Sequence, residues 1–247
     1  MNQARQIYDQ LWSEALPAFQ RGEPRIDPHL LDKRNDRRRG VSLAFRPSPS
    51  VQVRARSFLD QLAAEFPGQY FYRPGEFHVT VLTMISTTEF WRKEIGDLAA
   101  FRGILAEVLP RQHSFKLDFC GVTAAPNAAL IQGFPLDGGL EKIRDALRRG
   151  FAQRGFANRL DRRYPNRAAH MTAMRFCRSD ADWRRLAAVL SENRQTHFGA
   201  THVDTLELIW GDWYASNETE RILGRYHLPD AMAAPAVSIN PLLWPPR

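Results

Sequence analysis

At 247 residues the chain is long enough for one large domain or two small ones, and 44% apolar with 25% charged residues is the make-up of an ordinary globular protein. Its 34 Lys and Arg against 27 Asp and Glu leave a formal charge of +7, a balance that favours polyanionic partners such as nucleotides or RNA. Two cysteines, Cys120 and Cys177, exclude a disulfide framework, and no Cys/His spacing matches a zinc site. With no long apolar stretch, neither a signal peptide nor a membrane span is expected, and reduced cysteines fit a cytoplasmic protein.

Residues 3–20 read as an amphipathic helix, with Ile7, Tyr8, Leu11, Trp12, Ala15 and Phe19 at helical spacing. A Pro-rich and basic stretch to residue 40 reads as a solvated loop, so 1–40 is expected to pack on the core as helix plus loop. A strand at 41–45 and a helix at 50–66 follow, closed by Pro67-Gly68. The next strand spans 77–85, and Thr87 or Thr88 is positioned to cap a helix reaching Leu109. Strands at 114–122 and 128–134 form a hairpin, and Leu140, Ile143, Leu147 and Phe151 mark a helix running to about 154. A strand around residue 170, a helix from 179 or 180 to 194, and a hairpin of 203–210 with 221–228 complete the core. The core unit is therefore 41–228, and 229–247 reads as an extended, Ala/Pro-rich tail.

Two of these strands carry the same pattern. Phe77-His78-Val79-Thr80-Val81-Leu82 and Ala169-His170-Met171-Thr172-Ala173-Met174 each place His and Thr two residues apart in an apolar run. Strand side chains alternate between faces, so His78 shares a face with Thr80, and His170 with Thr172. Chance gives roughly 0.3 such triplets in a chain of this composition, and single short matches mean little. Here there are two, and none of the other five histidines has Ser or Thr two residues on. Two satisfied core histidines would be the plain structural explanation. An active-site cleft is the better one.

The doublet HVTV and HMTA resembles the signature of the two-histidine (2H) phosphoesterase superfamily, which includes bacterial 2′-5′ RNA ligase-like proteins and 2′,3′-cyclic phosphodiesterases. The resemblance is specific at the doublet and loose elsewhere over residues 39–228. It implies an α+β, bilobal fold: two mostly antiparallel sheets, helices on the outer faces, and one motif strand per lobe lining a central cleft. It also implies an enzyme, a metal-independent phosphodiesterase acting on a small RNA-type phosphodiester such as a 2′,3′-cyclic phosphate, a 2′-5′ linkage or a cyclic nucleotide.

The residue chemistry agrees with that implication. With an ordinary pKa near ~6.5, one imidazole can be neutral and act as base while its partner is protonated and acts as acid. The two Thr hydroxyls can donate to non-bridging phosphate oxygens. His78, Thr80, His170 and Thr172 are thus the catalytic candidates, and no metal or other cofactor is required. Tyr72 and Arg73 ahead of the first motif, and Arg163, Tyr164 and Arg167 ahead of the second, are substrate-binding candidates for stacking and phosphate pairing. Trp210, Trp213 and Tyr214 form a further possible stacking wall, with core packing favoured for Trp210. Arg175, five residues beyond His170, falls on the opposite face by strict alternation unless a bulge intervenes. The expected partner is a nucleotide or RNA end, with no membrane and no obligate protein partner. Two other readings remain: a non-catalytic RNA- or nucleotide-binding module, and a metallohydrolase using both histidines as ligands.

Overall fold

The computed structural model describes residues 3–162 and 166–230. Among the described residues, five α-helices pack on a nine-stranded sheet whose paired strands all run antiparallel. The helices are α1 (Gln3–Arg21), α2 (Pro49–Glu65), α3 (Leu98–Val108), α4 (Gly139–Gln153) and α5 (Trp183–Glu192). The strands are β1 (Arg39–Phe45), β2 (Tyr70–Phe71), β3 (Val79–Thr88), β4 (Phe115–Ala125), β5 (Ala128–Pro135), β6 (Ala169–Arg175), β7 (His197–Val203), β8 (Thr205–Gly211) and β9 (Arg221–His227). Their order is β7-β4-β5-β6-β3-β1-β8-β9, with β2 added beside β6.

The sheet has two well-paired halves, β7-β4-β5-β6 and β3-β1-β8-β9. They meet at one registered pair, Val79 opposite Met171. The two sheets expected of a two-lobed molecule thus join edge to edge, and the strands at the join are the two motif strands. Val79 and Met171, the central residues of the two triplets, are fully buried. Their burial fixes the facing of both strands, because a one-residue slip would turn each apolar set to the opposite side.

Helix packing follows the apolar stripes. Val51, Ala55, Phe58, Leu59 and Leu62 bury one face of α2, and Phe58 meets Phe198 of β7 edge-to-face at 5.7 Å. On α4 the buried stripe is Leu140, Ile143, Leu147 and Phe151, with Phe151 against Phe101 of α3 at 5.3 Å. Helix α1 is anchored by Tyr8. Its hydroxyl donates to Gly133 O at 3.0 Å and accepts from the amides of Gly133 (3.1 Å) and Ala169 (3.2 Å). Only glycine suits position 133, since a Cβ there would lie 2.1 Å from Ala169 O.

Some boundaries differ from the periodicity reading. Thr87 and Thr88 belong to β3 rather than capping a helix, and α3 begins only at Leu98, after two short 3-10 turns at Trp91–Lys93 and Ile95–Asp97. Helix α5 starts at Trp183, capped by Asp182, whose side chain accepts from Arg185 N at 2.9 Å. Strands β2 and β7 are additional to the elements read from the pattern. Of the expected tail, residues 231–247 lie outside the described residues.

Candidate functional site

His78, Thr80, His170 and Thr172 line one cavity of about 100 Å³ at the join of the two half-sheets. Antiparallel pairing of Val79 with Met171 carries His78 toward Thr172 and Thr80 toward His170. Each histidine therefore neighbours the other motif's threonine, and the two histidines lie on a diagonal, a spacing of about 7–8 Å in a regular sheet. The register relates the two His/Thr pairs by a near two-fold, and all four line the same cavity.

The symmetry extends past the motifs. In β3, Thr80 pairs with Ala44 of β1 while Leu82 pairs with Leu43, so Val81 is an extra residue. In β6, Thr172 pairs with Leu130 of β5 while Met174 pairs with Ala129, so Ala173 is an extra residue. Each motif strand thus bulges immediately after its threonine. A bulge resets the alternation of faces by one. Three residues beyond the threonines, Thr83 and Arg175 are consequently turned into the cavity. Arg175 is a correction to strict alternation, which places it on the far face.

Arg175 is 8% exposed, and its Nε donates to the Tyr72 hydroxyl at 2.9 Å. Its guanidinium lies 5.1 Å from the centre of the Trp213 ring. A stacked, buried guanidinium is a preorganised anion receptor, with N–H donors fixed in a planar fork. The cavity's three carboxylates have their own partners. Asp161 is held by Arg148 and Asn166, Asp212 by Ser216 and the Tyr214 amide, and Glu220 by Arg46.

The two imidazoles are held differently. His78 Nδ1 lies 2.8 Å from Glu76 O. A carbonyl only accepts, so Nδ1 carries the proton and Nε2 offers a lone pair. The carbonyl is itself fixed by the Pro74–Glu76 turn, where the buried Glu76 carboxylate accepts from Arg73 N at 3.0 Å and from the Tyr70 hydroxyl at 3.2 Å. His170 Nδ1 is buried without a hydrogen-bond partner among the described residues. Burial pushes both rings down to about 4, aided by Arg46 and Arg175 at His78, and by Arg175, Arg144 and His78 at His170. Both are neutral at pH 7 in the free protein.

Arg144 of α4 explains how the motif strands stay apart beyond their single pair. Its buried guanidinium donates to Val81 O (3.0 Å) and Thr80 O (3.1 Å) on one strand and to Ala168 O (2.9 Å) ahead of the other. Burial pulls its pKa down to about 10, so it remains charged at neutral pH. The site therefore has a fixed positive charge behind it.

Of the substrate-binding candidates, Tyr72 lines the cavity. Arg73 is exposed and ion-paired with Glu218 at 3.1 Å, outside the cavity lining. Arg163 and Tyr164 lie outside the described residues. Arg167 lines a second, larger cavity that shares His170, Thr172, Arg175 and Trp213 with the first. Trp213 borders both cavities, Tyr214 is buried with its hydroxyl donating to Asp27 at 2.9 Å, and Trp210 packs edge-to-face on Trp91 at 5.5 Å. No residue pattern marks Thr83, and Arg175 reaches the cavity through the bulge that would overturn strict alternation; in both cases the signal is a register shift.

No family model matches the chain, and no curated protein does. Solved structures do. TT0787 of Thermus thermophilus superposes with a TM-score of 0.58 at 14% identity, covering 77% of this chain and 98% of that one. A structure described as a phosphoesterase gives 0.50 at 14% identity, covering 78% and 99%. The chain has a phosphoesterase-type fold. Escherichia coli LigT complexed with ATP also matches, at 14% identity over 78% and 99% of the two chains, with a TM-score of 0.48. This likeness bears on the fold; the site rests on the geometry above. Among the described residues no three His, Cys, Asp or Glu side chains gather as metal ligands, and no helix is long and apolar enough to cross a membrane.

Proposed function

We propose that the chain is a metal-independent phosphodiesterase that cleaves a small RNA-type phosphodiester by general acid–base catalysis between His78 and His170. The observation that carries this reading is the convergence of both His/Thr pairs and Arg175 on one cavity. On a 2′,3′-cyclic phosphate, a water oxygen attacks phosphorus and its proton passes to His78 Nε2, the ring whose tautomer is fixed by Glu76 O. The bond from phosphorus to one ribose oxygen breaks, and that oxygen takes a proton from His170. Thr80, Thr172 and Arg175 donate to the non-bridging oxygens as charge builds there.

Both rings are neutral in the empty site, so the acid has to be charged by the substrate. An anionic phosphodiester offsets the repulsion from Arg175 and Arg144 and draws a proton onto His170. Substrate entry and acid activation are then one event.

The test is turnover of 2′,3′-cyclic mononucleotides, 2′-5′ and 3′-5′ dinucleotides and cyclic dinucleotides in the presence of chelator. At least one substrate is expected to be cleaved, with loss of about 10²–10⁴-fold in each of His78→Ala and His170→Ala. Tight nucleotide binding without turnover of any of them would instead make the chain a binding module.

A further inference from the structure

The larger cavity, about 800 Å³, opens off the His170, Thr172, Arg175 and Trp213 edge of the catalytic cavity. Its size falls within the range of small-molecule sites and is several times that of the catalytic cavity. It is lined by Ile7 and Leu11 of α1 and by Ala128 and Leu130 of β5. Arg25 and Arg167, both exposed, stand on its rim. Four arginines, Arg25, Arg38, Arg167 and Arg175, line it against two carboxylates, Glu14 and Asp27. Apolar surface with that excess of positive charge matches a chain of bases and phosphates: flat faces to cover apolar surface, and charges that meet arginine.

We infer that this compartment binds the oligonucleotide arm attached to the scissile phosphate, making α1 and the segment after it a specificity element for substrates longer than a mononucleotide. The inference rests on the proposed phosphodiesterase reading, because it takes the phosphate to lie between the histidines. A cyclic mononucleotide then engages the catalytic cavity and only the near end of the compartment. A short oligonucleotide ending in a 2′,3′-cyclic phosphate also lays its next nucleotide along α1, with its phosphate between Arg25 and Arg167.

The experiment compares kcat/KM for a 2′,3′-cyclic mononucleotide and for a trinucleotide ending in the same cyclic phosphate. The wild type is expected to favour the trinucleotide at least tenfold, with the preference fading as salt is raised. Leu11→Trp, which puts an indole into the compartment from the α1 wall, and the double variant Arg25→Glu with Arg167→Glu are each expected to bring the ratio close to one. Val53→Trp, on the exposed face of α2, should keep the wild-type ratio. Equal kcat/KM for both substrates in the wild type, or an unchanged ratio in both test variants, would overturn the inference. If neither substrate turns over, it is the catalytic reading that has failed. The compartment is then read by fluorescence anisotropy with a 3′-phosphorylated trinucleotide, whose Kd should weaken at least tenfold in Leu11→Trp; an unchanged Kd overturns the inference there too.

Discussion

Thr83 and Arg175 occupy equivalent places in two different strands: each lies three residues past a motif threonine, and each is turned into the cavity by a single extra residue, Val81 or Ala173. One position keeps a hydroxyl and the other a guanidinium. The near symmetry of the site is therefore broken at charge, with the cation on the His170 side.

That asymmetry predicts unequal costs. Replacing Arg175 with Met removes a charged donor from the phosphate and is expected to lower kcat/KM by about 10–100-fold, the cost of one or two charge-assisted hydrogen bonds. Arg175→Lys should recover little, because an ammonium cannot both stack on Trp213 and reach in a planar fork. Thr83→Ala should cost less than tenfold. Steady-state kinetics on whichever phosphodiester is cleaved measures all three.

Arg144 is expected to matter chiefly for stability. Arg144→Met leaves the carbonyls of Thr80, Val81 and Ala168 without their donor in a buried place. Each orphaned acceptor costs about 1–3 kcal/mol, with partial relief if water enters. A loss of about 3 kcal/mol in urea unfolding is the expected outcome; a change under about 1 kcal/mol would show that the motif strands hold their spacing without it.

The depressed histidines give stability a definite pH dependence. Both rings sit near 4 when folded against about 6.5 when unfolded, so between these values the unfolded chain binds more protons than the folded one. Stability contributed by the neutral rings is full above about pH 6.5 and falls as pH drops toward 4. The fall is about 1.4 kcal/mol per pH unit for each ring at most. Replacing both histidines with Gln should flatten the dependence of ΔG on pH across that window, as read by urea melts at several pH values.

Glu76 is a positioning residue. Its carboxylate holds the turn whose carbonyl fixes His78 Nδ1. Glu76→Ala is expected to lower kcat more than it raises KM, and to shift the acidic limb of the pH–rate profile, since the tautomer of His78 is no longer set. A merely structural role would lower the melting temperature and leave the profile in place.

How much of this was legible in the sequence follows from what each signal depends on. The His/Thr doublet sits in strands whose apolar runs are local, so residues 77–82 and 169–174 could be read as strands from the chain alone. The stripes of α2 and α4 were equally plain. The side on which Arg175 falls was not, because a bulge is a relation between β6 and its neighbour β5 that no residue of β6 declares. Thr87 and Thr88 misled because threonine favours both helix caps and strands, and only the pairing of β3 with β1 decides. Strand β7 escaped notice because Gly199 and the polar Thr201 and His202 blur its alternation. The hold of Arg144 on β3 joins residues 63 and 64 positions apart, a relation visible only in space.

The most direct measurement is the titration of the two imidazoles by nitrogen-detected NMR, without and with inorganic phosphate. In the free protein both rings are expected to titrate near 4. A phosphoryl group held between them should raise the apparent pKa of both, by a unit or more for at least His170, with both signals shifting along one binding curve. If phosphate moves only one ring, or neither, the two histidines do not share a phosphoryl site and the proposal is contradicted.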